Sequence, residues 1–229
     1  MLGFWQRKMS TYQNSEIDND IFRKNLLKYT KKAYQMIPKI KNPRILDVGC
    51  GSGVPTIELA KLSGGKVTAI DTDQILLNKL RKKVKQENLS KQVTIKNQSI
   101  FDINFPLESF DIVWAEGVLH IIGFEKGLKH ACKLLKPNGF VVIHESICNI
   151  SNKLKIIPNY GFKFFNNFDL QTDAWWKEYY QPLEKLISKL KKQRKLDTQN
   201  NIKKYQSEVD LFKRNPEGNN SAFYILQKA

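Results

Sequence analysis

Three alternating glycines form the part of this sequence whose residue types and spacing best suit chemistry. An apolar run that begins at Arg44 reaches Asp47 and then breaks into Gly49, Gly51 and Gly53. A buried strand, a tight turn and a helix start in this order are typical of the nucleotide-binding edge of an α/β sheet. The glycines are needed because the turn requires positive φ and because a ligand lies directly on the backbone.

Charge and spacing around the glycines indicate which ligand the turn holds. The spacing is G-x-G-x-G, and Val54 stands where a dinucleotide fingerprint has its third glycine. A carboxylate at Asp47, at the mouth of the site, would repel a pyrophosphate but would suit ammonium and sulfonium charge. The Gly-Lys-Ser/Thr ending of a P-loop is absent, which disfavours a nucleoside triphosphate. A cationic sulfonium cofactor is therefore predicted.

Asp71 ends the next apolar run and is the predicted partner of a ribose. It follows the glycine turn at the distance where a carboxylate accepts two hydrogen bonds from a ribose diol. The alternative is that Asp71 caps the helix that follows. Its pairing with the glycine turn favours the ribose, and Thr72 is assigned to the same cofactor site.

Strands and helices must alternate to bring these residues together. Apolar periodicity predicts five strands, over 44–48, 66–71, 92–95, 110–114 and 140–144. It also predicts helices over 55–62, 73–87 and 124–135. An amphipathic helix over 16–37 precedes them, and a strand, two helices and a last strand follow over 162–168, 173–192, 202–212 and 222–227. Short alternation of this kind implies right-handed crossovers and a parallel sheet.

A length of 229 residues suits one domain with appendages, long enough to bury a full core. We expect residues 1–42 to form an N-terminal helical cap region and residues 43–146 to form the cofactor-binding core. Residues 147–229 are expected to complete the sheet and the substrate side.

Several motifs in order resemble those of class I S-adenosylmethionine-dependent methyltransferases. They lie at 46–53, 69–71, 105–113 and 134–139. The resemblance implies an α/β, three-layer Rossmann-like sandwich with a mostly parallel seven-stranded sheet whose last strand is antiparallel. It also implies S-adenosyl-L-methionine as cofactor. Two further stretches, 114–117 and 173–180, look like those of a prokaryotic subgroup of mostly unassigned substrate.

The same resemblance implies a role for each part of the site. The residues assigned to the methionine part of the cofactor lie in the glycine turn and are Asp47, Gly49, Cys50, Gly51 and Gly53. Asp71 would hold the ribose hydroxyls, and the loop after the third strand would hold the adenine. Ser99 stands there in place of the usual acid, with Ile100 expected to pack on the ring. Losing one such hydrogen bond would weaken binding by roughly 1 kcal/mol.

Methyl transfer needs little acid or base chemistry, because the cofactor is already activated and the protein mainly positions the nucleophile and excludes water. Glu116 follows the fourth strand and could bind the cofactor's amino end, orient the acceptor or accept a proton. His120 lies near the same edge, and a half-buried histidine at a helix start is an equal alternative. Glu116 and His120 are the candidate catalytic residues, and Glu116 is also assigned to the cofactor.

The acceptor side carries weaker signals. The aromatic residues at 114, 175, 176, 179 and 180 could wall a substrate pocket, although an aromatic stripe at helical spacing favours a core role. The segment between Glu145 and Gly161 is shorter than in the subgroup. This predicts either an open pocket or one covered by the N-terminal helix and residues 175–180.

The net charge of +16 raises the question of a nucleic-acid partner, and the two flanks hold most of it. No compact basic run is interleaved with aromatic residues, which favours solvated helix faces instead. The turn over 115–118 lacks the Asn/Asp-Pro-Pro-aromatic pattern of enzymes that methylate exocyclic amines of bases. We therefore expect a small-molecule methyl acceptor. An RNA or protein methyltransferase and a catalytically idle cofactor-binding subunit are the alternatives.

Cysteine usage and hydropathy bear on the compartment. Cys50, Cys132 and Cys148 are odd in number and scattered, which argues against a disulfide framework, a metal site or an arsenite-methylating enzyme. No apolar run of eighteen residues occurs, and the first residues lack the order of a signal peptide. A cytoplasmic protein without a metal or a membrane span is the expectation.

Overall fold

A computed structural model describes residues 17–147, 150–192 and 199–229, with the side chains of 199–201 left out. Its strands are β1 (Arg44–Val48), β2 (Lys66–Asp71), β3 (Val93–Asn97), β4 (Phe110–Glu116), β5 (Leu135–Ser146), β6 (Phe162–Asp169) and β7 (Ser221–Lys228). Within the described ranges they form one seven-stranded sheet in the order β3-β2-β1-β4-β5-β7-β6. Only β7 runs against its two neighbours in this sheet. The predicted fold class, with its antiparallel last strand, is confirmed.

Helices cover both faces of the sheet. They are α1 (Asp20–Arg23), α2 (Leu27–Gln35), α3 (Val54–Ser63), α4 (Gln74–Gln86), α5 (Leu119–Ile122), α6 (Phe124–Leu134), α7 (Ile150–Ile156), α8 (Gln181–Lys192) and α9 (Gln199–Arg214). Single 3-10 turns lie at Lys24–Leu26, Ile157–Tyr160 and Glu217–Asn219, and a π-helical turn at Trp176–Tyr180 leads into α8. No helix among these described residues is long and apolar enough to cross a membrane.

Four elements differ from the sequence-based expectation. The predicted N-terminal helix is broken by the 3-10 turn at Lys24–Leu26, and its first residue lies outside the described residues. The fifth strand begins at Leu135, because Asn138 adopts a positive φ and the pairing with β4 shifts register instead of breaking. The short helices α5 and α7 were not predicted, since neither is long enough to show a helical period.

Alternate residues of each strand lie on opposite faces of the sheet and pack in opposite layers of the core. Ile45 packs with α2, α3 and α4, whereas Leu46 packs with α5 and α6 on the other face. A third cluster joins the N-terminal segment to α8 and α9 and includes Phe22 and Tyr179. We call the elements of this cluster, residues 17–23, 176–192 and 199–214, the cap.

Most of the predicted aromatic stripe belongs to the core. Trp114 is fully buried, and Tyr179 and Tyr180 are buried within the cap cluster. The ring of Tyr180 stacks on Phe212 with centroids 4.2 Å apart. The core alternative for these three side chains is therefore correct: Trp114 packs beneath the sheet edge from β4, and helical spacing places Tyr179 and Tyr180 on the face that packs between cap elements.

Candidate cofactor-binding and active site

The three glycines of the turn all adopt positive φ, and they differ in how closely side chains pack against them. A Cβ at Gly49 would lie 2.4 Å from Val118, and a Cβ at Gly53 would lie 2.1 Å from Leu80. Any side chain at these two positions would collide with the core. Gly51 is buried as well, but a Cβ there would make only ordinary contacts, the nearest at 3.8 Å. Gly51 is therefore the glycine of the turn where an added methyl group would meet no collision.

Asp71 lies beside Gly51. Its Oδ2 accepts a hydrogen bond from the Gly51 amide, and its Oδ1 accepts one from the Asp73 amide, both at 2.8 Å. A carboxylate offers about four lone-pair sites, so acceptor capacity remains for a diol. Asp73, whose side chain accepts from the amides of Ile75 and Leu76, is the cap of α4. The cap role considered for Asp71 therefore belongs to Asp73.

Asp47 is buried below the turn, only 2% exposed, and so is not at the mouth of the site. Its Oδ2 accepts a hydrogen bond of 2.5 Å from the Thr56 hydroxyl. Burial, with smaller effects from the charges of Glu116 and Asp71, raises the pKa of Asp47 to about 7. Burial also raises the pKa of the Cys50 thiol, which makes that side chain a small apolar filler.

The loop that was predicted to hold adenine follows β3. Its path is fixed by the Gln98 amide, which donates to the carbonyl of Asp71, and by the Ser99 hydroxyl, which accepts from the Phe101 amide. Thr72 is exposed beside it, and Ser99 is half-buried. Ile100 is buried in the core layer of α5 and α6, so the packing of its side chain on a ring stays a prediction.

Glu116 ends β4 and is held by protein donors. Its Oε2 accepts hydrogen bonds from the Trp114 indole at 3.0 Å and from the Thr30 hydroxyl of α2 at 3.1 Å. Burial raises the pKa of Glu116, while these two hydrogen bonds oppose the rise. Glu116 thus ties the N-terminal helix α2 to the carboxyl edge of the sheet.

His120 lies at the same edge, next to an acid that was not predicted. Glu145 ends the neighbouring strand β5 and is only 3% exposed. Its Oε1 lies 3.6 Å from Nδ1 of His120, and its Oε2 lies 3.7 Å from Nζ of Lys153. That Oε2 accepts no hydrogen bond from the part of the chain that the structure describes. An acid at the end of a strand was the available signal, since Asp47, Asp71 and Glu116 follow the same pattern.

The N-terminal segment is fastened directly to the glycine turn. Asp20, which is buried, accepts a 2.6 Å hydrogen bond from the Ser52 hydroxyl and pairs with Lys83. Lys83 also donates to the Ser52 carbonyl at 2.9 Å. Burial would raise the pKa of Asp20, but its hydrogen bonds to Lys83 and Ser52 hold it below the usual value. We call these three residues the Asp20 latch.

The middle of the chain is similar to a known family of proteins. Residues 45–139, which are less than half of the chain, match the family model described as a methyltransferase domain. The demethylmenaquinone methyltransferase of Lactobacillus johnsonii is 32% identical over 143 residues, which are 61% of this chain and 59% of that protein. The match thus spans less than two thirds of that relative.

Solved structures extend the likeness of the methyltransferase domain to the whole fold. A methyltransferase from Thiobacillus denitrificans, in complex with S-adenosyl-L-homocysteine, has a TM-score of 0.70 at 14% identity over 88% of this chain and 91% of its own. The [4+2]-cyclase SpnF has a TM-score of 0.71 at 16% identity over 93% and 86%. At these identities the likeness shows the fold alone.

The residues at this edge of the sheet fit the cofactor that the sequence predicts. All three glycines of the turn adopt positive φ, and Asp71 beside Gly51 keeps acceptor capacity for ribose hydroxyls. The acids Asp47 and Glu116 on the α2 side suit positive charge. No group of three metal-ligating side chains occurs within the described ranges.

Proposed function

We propose that this chain is an S-adenosylmethionine-dependent methyltransferase that acts on a small molecule. The observation that carries the proposal is the half-buried Asp71 carboxylate, which accepts a hydrogen bond from the Gly51 amide of the glycine turn at the carboxyl edge of the sheet. A small-molecule acceptor is supported by the similarity to a protein that is named for methylating demethylmenaquinone. The basic flanks lack the pattern of a nucleic-acid site.

The cofactor site divides into three contacts. When bound, S-adenosylmethionine supplies a methyl group that is already activated by its sulfonium sulfur. We assign its ribose to Asp71 and Thr72, its amino-acid part to the glycine turn with Asp47 and Cys50, and its adenine to Ser99 and Ile100. Glu116 closes the α2 side of the site, because Thr30 and Trp114 hold its carboxylate in place.

His120 and Glu145 form the proton-accepting part of this proposal. Both lie where β4 and β5 end, next to the strand edge at which the acceptor would enter. We assign to His120 the proton that an acceptor O–H or N–H loses. Glu145, 3.6 Å from Nδ1, orients the ring and stabilises the imidazolium that forms. Such a base contributes about 10²- to 10⁴-fold in rate.

We also propose a separate role for each of three parts of the chain. Residues 1–42 supply a cap region, residues 43–146 bind the cofactor, and residues 147–229 complete the sheet and the substrate side. The pairing of β7 with β5, and of β6 with β7, supports the last assignment. The cluster that joins α8 and α9 to the N-terminal segment supports the first. This cap would keep water from the transfer.

A second candidate function is cofactor binding without methyl transfer. Two observations favour it: the same fold occurs in a protein titled a [4+2]-cyclase, and Ser99 replaces the usual adenine-binding acid. Tight binding of the cofactor with no turnover across many acceptors would support this candidate.

Calorimetry with S-adenosylhomocysteine tests the cofactor assignment directly. We expect micromolar binding by the native chain, with a large loss in Gly51→Val and Asp71→Ala. No binding by the native chain, or equal binding by both variants, would overturn it. Transfer of labelled methyl from S-adenosylmethionine to a panel of phenols, quinols and amines then separates the two candidate functions. Substitution of His120 by Ala should remove that transfer without removing the binding.

A further inference from the structure

Arg23, at the end of α1, reaches the glycine turn beside Gly51. Its Nη1 lies 4.0 Å from the position that a Cβ on Gly51 would take. The side chain is half-buried. Its charge acts on the carboxyl groups of Asp20, Glu116 and Glu208, but within the described ranges no hydrogen bond or ion pair engages the guanidinium. A guanidinium carries five donors, so donors remain for an anion.

The backbone around Arg23 is held on both sides. The Asp20 latch fixes the preceding turn of the segment to the glycine turn through Ser52. On the other side, the Asn25 side chain donates to the carbonyl of Glu178 at 2.8 Å, and Lys28 forms an ion pair with the Glu178 carboxylate. The guanidinium is therefore placed in advance, at little cost in chain entropy when a ligand arrives.

The α-carboxylate of the proposed cofactor needs a cation at the glycine turn, and Arg23 can supply it. Four carboxyl groups lie around the glycine turn, those of Asp20, Asp47, Asp71 and Glu116. They suit the ammonium and sulfonium groups of the proposed cofactor, but they would repel its α-carboxylate. Lys83, the other cation at the turn, is already engaged with Asp20 and with the Ser52 carbonyl. A planar guanidinium matches a carboxylate in a bidentate pair.

We propose that Arg23 binds the α-carboxylate of the cofactor and thereby makes the N-terminal segment part of the cofactor site. The inference rests on the proposed function, because it assumes that an adenosyl amino acid lies on the glycine turn. It adds a specificity: the site selects adenosyl thioethers and sulfoniums that carry an amino-acid carboxylate over nucleosides that lack one. Arg23 precedes β1 and so lies outside the methyltransferase motifs.

Calorimetry with two ligands isolates the carboxylate contact. One ligand is S-adenosylhomocysteine, and the other is S-adenosyl-3-thiopropylamine, which keeps the amine and lacks the carboxylate. We expect Arg23→Ala to bind S-adenosylhomocysteine about 10- to 100-fold more weakly, as for a hydrogen-bonded charge pair. Its affinity for the amine should change by less than about threefold. The affinity of Arg23→Lys for S-adenosylhomocysteine should lie between those of the native chain and Arg23→Ala. Lysine keeps the positive charge but lacks the planar group that binds a carboxylate through two hydrogen bonds.

The neighbouring exposed residue provides a matched control. Lys24→Ala removes one positive charge from the same segment and should leave the affinity for both ligands unchanged. Thermal unfolding verifies the fold of each variant, and Arg23→Gln repeats the measurement if Arg23→Ala unfolds.

Each remaining outcome decides a different question. Native binding of S-adenosylhomocysteine that Arg23→Ala does not weaken would overturn the carboxylate assignment and leave the cofactor assignment intact. Equal weakening of both ligands would show a structural role for Arg23 and would also overturn it. A native chain that binds neither ligand would overturn the inference together with the proposed function.

Discussion

At Gly51 an added methyl group would meet no protein atom closer than 3.8 Å, so a substitution there tests the ligand rather than the packing. Gly64 provides the control, because it has a similar φ of +61° and no atom within 4 Å of its Cβ position. We expect Gly51→Ala and Gly64→Ala to lose similar unfolding free energy in urea, about 1–2 kcal/mol each from left-handed strain. Only Gly51→Ala should weaken S-adenosylhomocysteine binding, by at least about tenfold. Equal affinities would contradict the assignment of Gly51 to the cofactor.

Asp47 should give the unfolding free energy a distinctive pH dependence. Its pKa is raised to about 7 in the folded chain, against about 3.9 for an unperturbed aspartate. The folded state therefore binds the proton more tightly, and this contribution is fully present below pH 4 and lost as pH rises through 7. Asp47→Asn cannot ionise, and Thr56 can still donate to its amide oxygen.

The measurement compares native and Asp47→Asn chains in urea between pH 4 and pH 8. We expect the free energy of unfolding of the variant to rise relative to that of the native chain as pH rises, by up to about 4 kcal/mol in total. Other titrating groups cancel in the difference because both chains contain them. A difference that is flat across this range would show that Asp47 is ionised throughout.

At the scale of elements, the Asp20 latch should control how tightly the N-terminal segment closes over the turn. Lys83→Ala leaves the buried Asp20 carboxylate without its cation, so we expect faster hydrogen exchange in α1 and α2. Lys61→Ala is the control, since its ion pair with Glu87 is nearly half exposed on both sides and should contribute little to stability. Equal exchange in the two variants would show that the segment is held by its apolar contacts alone.

Elements were predictable where one strong local signal defined them. The strands β1 and β2 matched their predicted bounds, since each is a short apolar run that ends in an acid. The break at Lys24–Leu26 could not be predicted, because the apolar period continues through it and tertiary contacts decide the local winding. The four-residue helix α5 is too short to have a period of its own.

At the scale of the whole molecule, pairings between distant residues escaped prediction. The glycine turn and Asp71 were placed correctly, because strand order in a parallel sheet brings neighbouring carboxyl ends together. The approach of His120 to Glu145 depends on the register of β4 against β5. The position of Arg23 beside Gly51 depends on how the cap closes. Neither contact can be predicted from the spacing of residues along the chain.

The net charge of +16 supports one last prediction, on the class of acceptor. A shallow basic groove on α8 is lined by Glu184, Lys185, Ser188, Lys189 and Lys192. An RNA acceptor would need such a surface, since phosphate contacts dominate its affinity and give a salt slope of about −0.7 per contact. A small molecule held at the end of β4 would not. We therefore expect Lys185→Glu with Lys189→Glu to leave S-adenosylhomocysteine affinity and methyl transfer to small acceptors within about twofold of native.

A matched pair on another face makes this comparison specific. Lys129→Glu with Lys133→Glu reverses two exposed lysines on α6, also four residues apart, and makes the same change in net charge. Native RNA binding at 150 mM salt should be no tighter than about 1 μM, the range of non-specific association. The two double variants should weaken it equally, because a diffuse positive surface has no preferred face. Selective loss on reversing α8, together with methyl transfer to RNA, would instead make the cap a nucleic-acid platform and the acceptor an RNA.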